Sequence, residues 1–176
     1  MELLQKKKEQ GLIRHIGLCN TNIDDFKLAS SVGIVSIIQS EFNLFNKDLC
    51  NQLKKEIIER NILFWGWGTL DKGIISGRVR EDRVFEKHDC RSWAPWWRKS
   101  NKDEKIKLMS KVFNSLPNNH HDGVTIALCH AADESIAVLP IIGIKNVKDL
   151  NNVFNSLSKV SSYQNLYLNI RENYFD

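Results

Sequence analysis

Apolar residues fall along this chain in two rhythms, and the change from one to the other marks out its elements. Residues 13–18 begin the stretch IRHIGLCN and alternate apolar with polar side chains, as a half-buried strand does. Residues 34–40, IVSIIQS, form an almost unbroken β-branched run, the mark of a strand covered on both faces. Residues 62–67, ILFWGW, and 136–142 read as two more short apolar strands. Between them the spacing lengthens to three and four. Residues 2–10 predict a helix that stops at Gly11. Asn22 is placed to cap a helix running to about Ser31, with Asp24 and Asp25 in its first turn. Residues 48–60 carry Leu49, Leu53, Ile57 and Ile58 on one stripe. Helices are also expected over 106–116, closed by Pro117, over 125–132 and over 147–157. Residues 71–102 form a long polar stretch with Trp93, Trp96 and Trp97 set in it.

Strand and helix alternate four times, which predicts an α/β fold with a parallel sheet and right-handed crossovers. A chain of 176 residues suffices for one domain with a sizeable core. With 42% hydrophobic and 26% charged residues it reads as globular, and no apolar run approaches the roughly 20 residues of a membrane helix. The N-terminus, MELLQKKK, is charged where a secretory signal would be apolar, so a cytoplasmic protein without a membrane partner is expected. A net charge of +4 is too small and dispersed to point to nucleic acid, and Lys6–Lys8, beside Glu2, Glu9 and Gln10, reads as a solvated helix face.

None of Cys19, Cys50, Cys90 and Cys129 stands in C-x-x-C spacing. The pairs Cys129-His130 and His120-His121 are adjacent, so on a helix they diverge by about 100° and make no common ligand face. No metal site is expected. His15 and His88 read as structural or surface residues.

Four segments carry a family signature. QGLIRHIGLCN resembles the fifth strand of the aldo-keto reductases, IIQSEFNLFN the sixth, ILFWGWGTLDKGIISGR the seventh with its loop, and VLPIIGIKNVKDL the eighth. The motifs occur in the family's order and span nearly the whole chain. The resemblance implies half of a (β/α)8 barrel, four parallel strands with alternating helices, which would bind NADP(H) at the C-terminal ends of its strands. It implies further that residues 1–176 form a single truncated domain. The N-terminal half and the family's Asp, Tyr, Lys and His tetrad would be absent, so no catalytic residue is assigned.

What the resemblance assigns is cofactor binding. Asn20 matches the Asn whose amide bonds the nicotinamide carboxamide, for which an amide is suited because it both donates and accepts; it reads equally as a turn former before Thr21. Cys19 stands where the family has Ser, and a thiol is the weaker hydrogen-bond partner. Gln39 matches a second carboxamide contact. Trp67 matches the aromatic stacked on the nicotinamide, although core packing would use Trp67 or Trp65 alike. Gly68, Thr69 and Leu70 replace a Ser-Pro-Leu whose backbone amides approach the pyrophosphate, and loss of the proline loosens that loop. Ile144, Lys145 and Asn146 fall at the 2′-phosphate site, where Lys145 favours NADP over NAD or stands as a solvated lysine. Asp149, Asn152 and Val153 fall at the adenine contacts, and Val153 cannot replace an amide. A weakened NADP(H) site is therefore expected. Arg91, Trp93, Trp96 and Trp97 match the substrate loop; they line a pocket for a small carbonyl substrate or pack over the barrel mouth.

A half barrel has two open edges and a bare inner face. Ile37, Ile38, Phe64, Val138 and Ile141 are expected on that face. The chain is accordingly expected to pair as a homodimer or with a separate N-terminal half barrel, and not to persist as a lone monomer.

Overall fold

The computed structural model of the protein describes residues 1–117 and 122–175. Its sheet has four parallel strands, β1 (Gly17–Cys19), β2 (Ile37–Glu41), β3 (Leu63–Trp67) and β4 (Val138–Pro140), in the order β1-β2-β3-β4. Helix α1 (Glu2–Glu9) precedes β1, and α2 (Ile23–Val32) joins β1 to β2. Helices α3 (Asp48–Gln52) and α4 (Lys54–Glu59) join β2 to β3. Between β3 and β4 come α5 (Cys90–Trp93), α6 (Pro95–Arg98), α7 (Lys102–Ser115) and α8 (Gly123–Asp133). Helices α9 (Val147–Leu157) and α10 (Val160–Tyr174) follow β4. Four sequential parallel strands with helical crossovers are the expected half-barrel arrangement.

The chain forms two compact units. The first comprises Met1–Thr69 with His130–Gly143, and the second comprises Leu70–Cys129 with the chain from Ile144 onward. The whole sheet lies in the first. There Ile38 and Phe64 pack against Phe26 and Ala29 of α2, Cys50 of α3, Leu53 between α3 and α4, Ile57 of α4, and Ala131. Asn22 caps α2 as expected, its side-chain oxygen accepting from the amides of Asp24 and Asp25 at 2.9 and 2.8 Å. Gly66 is needed where it stands, because a Cβ there would lie 2.8 Å from Phe42 Cβ.

The face assignment of the strands needs correction. Ile38, Phe64 and Val138 point into the helix-covered core, at 0%, 0% and 9% exposure. The bare face is formed instead by the alternate positions Leu63, Trp65 and Leu139, continued by Ile141, at 37 to 48% exposure, with Ile37 partly buried beside Leu63. Strand side chains alternate with a period of two, so a one-residue error exchanges the faces, and a continuous β-branched run does not reveal its phase. All four strands are also shorter than expected: those over 34–40 and 62–67 become Ile37–Glu41 and Leu63–Trp67, and the other two lose more. The strand expected over 13–18 is confined to Gly17–Cys19, and that over 136–142 to Val138–Pro140. The helix expected over 48–60 is divided at Leu53, which adopts φ −101°, ψ 7°.

In the second unit α7 buries Ile106, Met109, Val112 and Phe113, and α10 buries Tyr167 and Ile170. The acidic group of Asp122 accepts from Thr125 Oγ1 at 2.7 Å and from Lys159 Nζ at 2.7 Å. Burial raises its pKa, but the ammonium and the Thr125 bonds prevail and leave it below the ordinary carboxylate value. Helix α10 has no counterpart in the sequence expectations, although Tyr163, Tyr167, Ile170 and Tyr174 recur at helical spacing. Among the described residues no helix is long and apolar enough to cross a membrane, and no three His, Cys, Asp or Glu residues gather as a metal site. His120 and His121 lie outside the described residues.

Candidate functional site

Four of the expected ligand contacts lie on β1, β2 and β3 or just past them: Cys19 and Trp67 end β1 and β3, Gln39 is at the middle of β2, and Asn20 follows β1. Cys19 pairs with Gln39, and Gln39 with Trp65, so their side chains share the uncovered face. Just past β1 the chain turns through Asn20, at φ 52°, a left-handed conformation that Asn tolerates better than most residues. The Asn20 amide donates to the carbonyl of Gln39 at 2.9 Å, which ties the turn to β2. Its side-chain oxygen accepts from Trp67 Nε1 at 2.9 Å. Asn20 and Trp67, 47 positions apart in sequence, therefore form one unit at the rim.

The loop after β3 starts at Gly68, whose φ of +69° favours glycine. Its carbonyl accepts from Asn43 Nδ2 at 3.1 Å, and Asn43 is buried. The Thr69 hydroxyl is also buried and lies 3.1 Å from the carbonyls of both Gly66 and Ile141. That side chain ties β3 to the end of β4, leaving only backbone for a ligand. Asn43 stands on a second buried group. His130 stacks on Phe42 with ring centroids 4.9 Å apart, and burial lowers its pKa to about 4, with Lys47 pushing the same way. Nearby Cys50 is pushed up to about 12, first by burial and then by Glu134. Glu134 itself accepts from Lys47 Nζ at 3.3 Å. His130 and Cys50 are therefore neutral at pH 7.

The remaining expected residues lie in the second unit. The Leu70 carbonyl accepts from the amides of Gly73 and Ile75 at 2.9 and 3.2 Å. Asp71 and Lys72, which follow it, both have positive φ, 38° and 56°. Asp71 is 1% exposed, and its carboxylate accepts from Lys72 Nζ at 2.9 Å and Lys105 Nζ at 2.8 Å. Sequence reading missed this ion cluster because Lys105 lies 34 positions away. Asn146 caps α9, accepting from the Asp149 amide at 2.9 Å. Asp149 is buried, accepts from Arg78 Nη2 at 2.5 Å, and is held below the usual carboxylate range by that guanidinium. Ile144, Lys145 and Asn152 are exposed. The positive charge of Lys145 acts on both Asp89 and Asp149.

Of the substrate-loop residues, Arg91 is fully engaged within the loop. It forks onto Asp89 at 2.9 and 2.6 Å, donates to the Lys72 carbonyl at 2.6 Å, and lies 4.3 Å from the Phe85 ring centroid. Trp97 is buried edge-on to Phe85. Trp93 and Trp96 are half exposed. His88 is on the surface beside Glu86.

The rim of the first unit thus offers an exposed amide, an aromatic plane and a second amide. In the second unit, Lys145 is an exposed cation. Two amides beside an aromatic plane can hold a flat ligand that bears a carboxamide. The family model described as "Aldo/keto reductase family" matches residues 1–169. Aldo-keto reductase yakc (NADP(+)) of Schizosaccharomyces pombe is 29% identical over 160 residues, 89% of this chain and 47% of that protein. Probable aldo-keto reductase 1 of Glycine max is 20% identical over 93% of this chain and 47% of its own length. Among solved structures, a glycerol dehydrogenase from Gluconobacter oxydans superposes with a TM-score of 0.74 at 20% identity, over 98% of this chain and 53% of that one. The apo form of an aldo-keto reductase from Bacillus halodurans gives 0.66 at 11% identity, over 94% and 53%. The chain spans about half the length of these relatives. With four parallel strands in half-barrel order and a family model covering nearly its whole length, the chain belongs to the aldo/keto reductase family.

Proposed function

We propose that this chain is the dinucleotide-holding half of an NADP(H)-dependent oxidoreductase that interconverts a small carbonyl compound and its alcohol. The observation that carries the reading is the cluster of Asn20, Gln39 and Trp67, two amides and an aromatic plane on neighbouring parallel strands, with Asn20 and Trp67 at the strands' C-terminal ends. Asn20 and Gln39 would hold the carboxamide, and Trp67 would lie against the nicotinamide ring. Backbone at Gly68, Thr69 and Leu70 would meet the pyrophosphate. Lys145, with Ile144 and Asn146 beside it, would meet the 2′-phosphate, and NADP(+) in the name of the Schizosaccharomyces pombe relative supports that preference. Bound NADPH would supply the hydride. The chain's own part would be to fix which ring face is open, with Trp67 against the other. Arg91 and Trp97 would shape the substrate loop from within, while Trp93 and Trp96 would face the substrate.

Proton transfer to the carbonyl oxygen requires the tetrad of the other barrel half. In this reading it comes from a four-stranded half barrel laid over Leu63, Trp65, Leu139 and Ile141, and the chain is inactive without it. A second copy would cover the same apolar face. Two features favour a second reading, a nicotinamide-binding or scaffolding protein without turnover: Asn146 is occupied in capping α9, and Val153 falls where the family resemblance implies an adenine contact. Calorimetric titration with NADPH and NADH, with the solution mass measured alongside, tests these readings. Saturable binding that favours NADPH supports the cofactor half. Binding without carbonyl reduction, even with an N-terminal half barrel added, supports the second reading. A folded chain that binds neither nucleotide contradicts both.

A further inference from the structure

The Asn20 side chain is oriented by Trp67. An indole N–H only donates, so the Asn20 atom 2.9 Å from Trp67 Nε1 is the oxygen. The two Nδ2 hydrogens then lie on the other side of the amide, and among the described residues none accepts from them. Both ends of this bridge are pinned through backbone. The Asn20 amide donates to the Gln39 carbonyl at 2.9 Å, and the Trp67 carbonyl accepts from the Phe42 amide at 2.9 Å. Asn20 cannot rotate its amide by 180° without placing two N–H groups against one another.

We propose that Trp67 is a positioning residue for Asn20: its indole N–H locks the amide so that Asn20 presents donors to the ligand and selects a carbonyl oxygen. The inference rests on the nicotinamide reading and deepens it. The Asn20 contact is made to the oxygen of the carboxamide, not to its NH2, and this fixes the rotation of the carboxamide relative to the ring. Trp67 thus acts twice, through its plane on the ring and through its N–H on the group that reads the ring's substituent. A phenylalanine at 67 would keep the plane and lose the lock.

The test uses the full chain and two ligands, NADPH and 2′-phosphoadenosine diphosphate ribose, which keeps adenine and phosphates but has no nicotinamide. The wild-type protein binds NADPH more tightly than the shorter ligand. In Trp67→Phe that preference falls about tenfold, the loss expected for one oriented hydrogen bond, while affinity for the shorter ligand changes less than about twofold. Asn20→Asp retains an oxygen for the indole but removes both donors, and it shows the same loss. Equal weakening of both ligands in Trp67→Phe would show a merely structural role and overturn the inference. So would undiminished preference in either variant. Wild-type protein that binds both ligands equally removes the nicotinamide reading and the inference with it. Wild-type protein that discriminates, beside variants that discriminate as well, removes the inference alone.

Discussion

Acidifying this protein from pH 7 to pH 4 should withdraw stability through one buried imidazole. His130 is 4% exposed, stacks on Phe42 and has its pKa lowered from 6.5 to about 4, by burial first and by Lys47 second. A base with a depressed folded pKa contributes its full stability above the unfolded value. That stability is lost as pH falls through the window from 6.5 to about 4, because the unfolded chain takes up a proton that the folded chain refuses. The slope within the window approaches 1.4 kcal/mol per pH unit, so the loss is about 2 kcal/mol at pH 5 and about 3 kcal/mol at pH 4. Acid changes the charge of other groups as well, so the signal is read as a difference. Urea unfolding of the wild type and His130→Phe, at half-unit steps from pH 7 to pH 4, isolates it. The variant keeps an aromatic ring against Phe42 and has nothing to titrate. The stability difference should move by about 3 kcal/mol in favour of the variant between pH 7 and pH 4. Because Phe42 adjoins Asn43, which holds the Gly68 carbonyl, ligand affinity at the rim should weaken over the same window. A flat difference would refute the argument that His130 is held neutral by its surroundings.

Other substitutions probe the frame. Gly123→Ala would place a Cβ 1.8 Å from the Ile75 carbonyl oxygen, so α8 must shift; a loss of at least about 3 kcal/mol is expected by urea unfolding. Asp71→Ala leaves Lys105 and Lys72 without their buried carboxylate and should cost about 2 kcal/mol, with protease cleavage in the loop after β3 as the readout. Asn22→Ala removes both cap bonds of α2 and should cost about 1 kcal/mol in thermal unfolding analysed at fixed pH. Leu139→Glu puts a charge on the bare face of β4, where Leu139 is 48% exposed. It should leave the circular dichroism unchanged and lower the mass seen by light scattering if that face is an interface.

Much of the fold was legible because local chemistry decides it. Asn22 with Asp24 and Asp25 marks the start of α2, and the bounds of α9, Val147–Leu157, are those of its apolar spacing. The four strands follow from short apolar runs, while their order and the family follow from the resemblance of four motifs to the aldo-keto reductases. Their faces do not, because in IVSIIQS neighbouring positions are equally apolar and only packing against Phe26 and Leu53 selects Ile38 for the core. The site divides the same way. Asn20, Gln39 and Trp67 stand in recognisable motifs, but the bond between Asn20 and Trp67 needs the strands brought side by side. Arg91 reads as a substrate-loop residue, and it folds back onto Asp89 two positions before it, which composition alone does not signal. The buried Asp71 with its two lysines, and Arg78 on Asp149, join residues 34 and 71 positions apart and leave no local pattern.

The central claim is that the rim around Asn20 and Trp67 takes a nicotinamide. The most direct measurement is tryptophan fluorescence of the full chain during titration with NADPH, beside Trp67→Phe. Saturable quenching in the wild type, with a smaller amplitude in the variant and a weaker response to NADH, is the predicted result. A folded protein whose emission does not change with NADPH, or whose quenching is the same in Trp67→Phe, contradicts it.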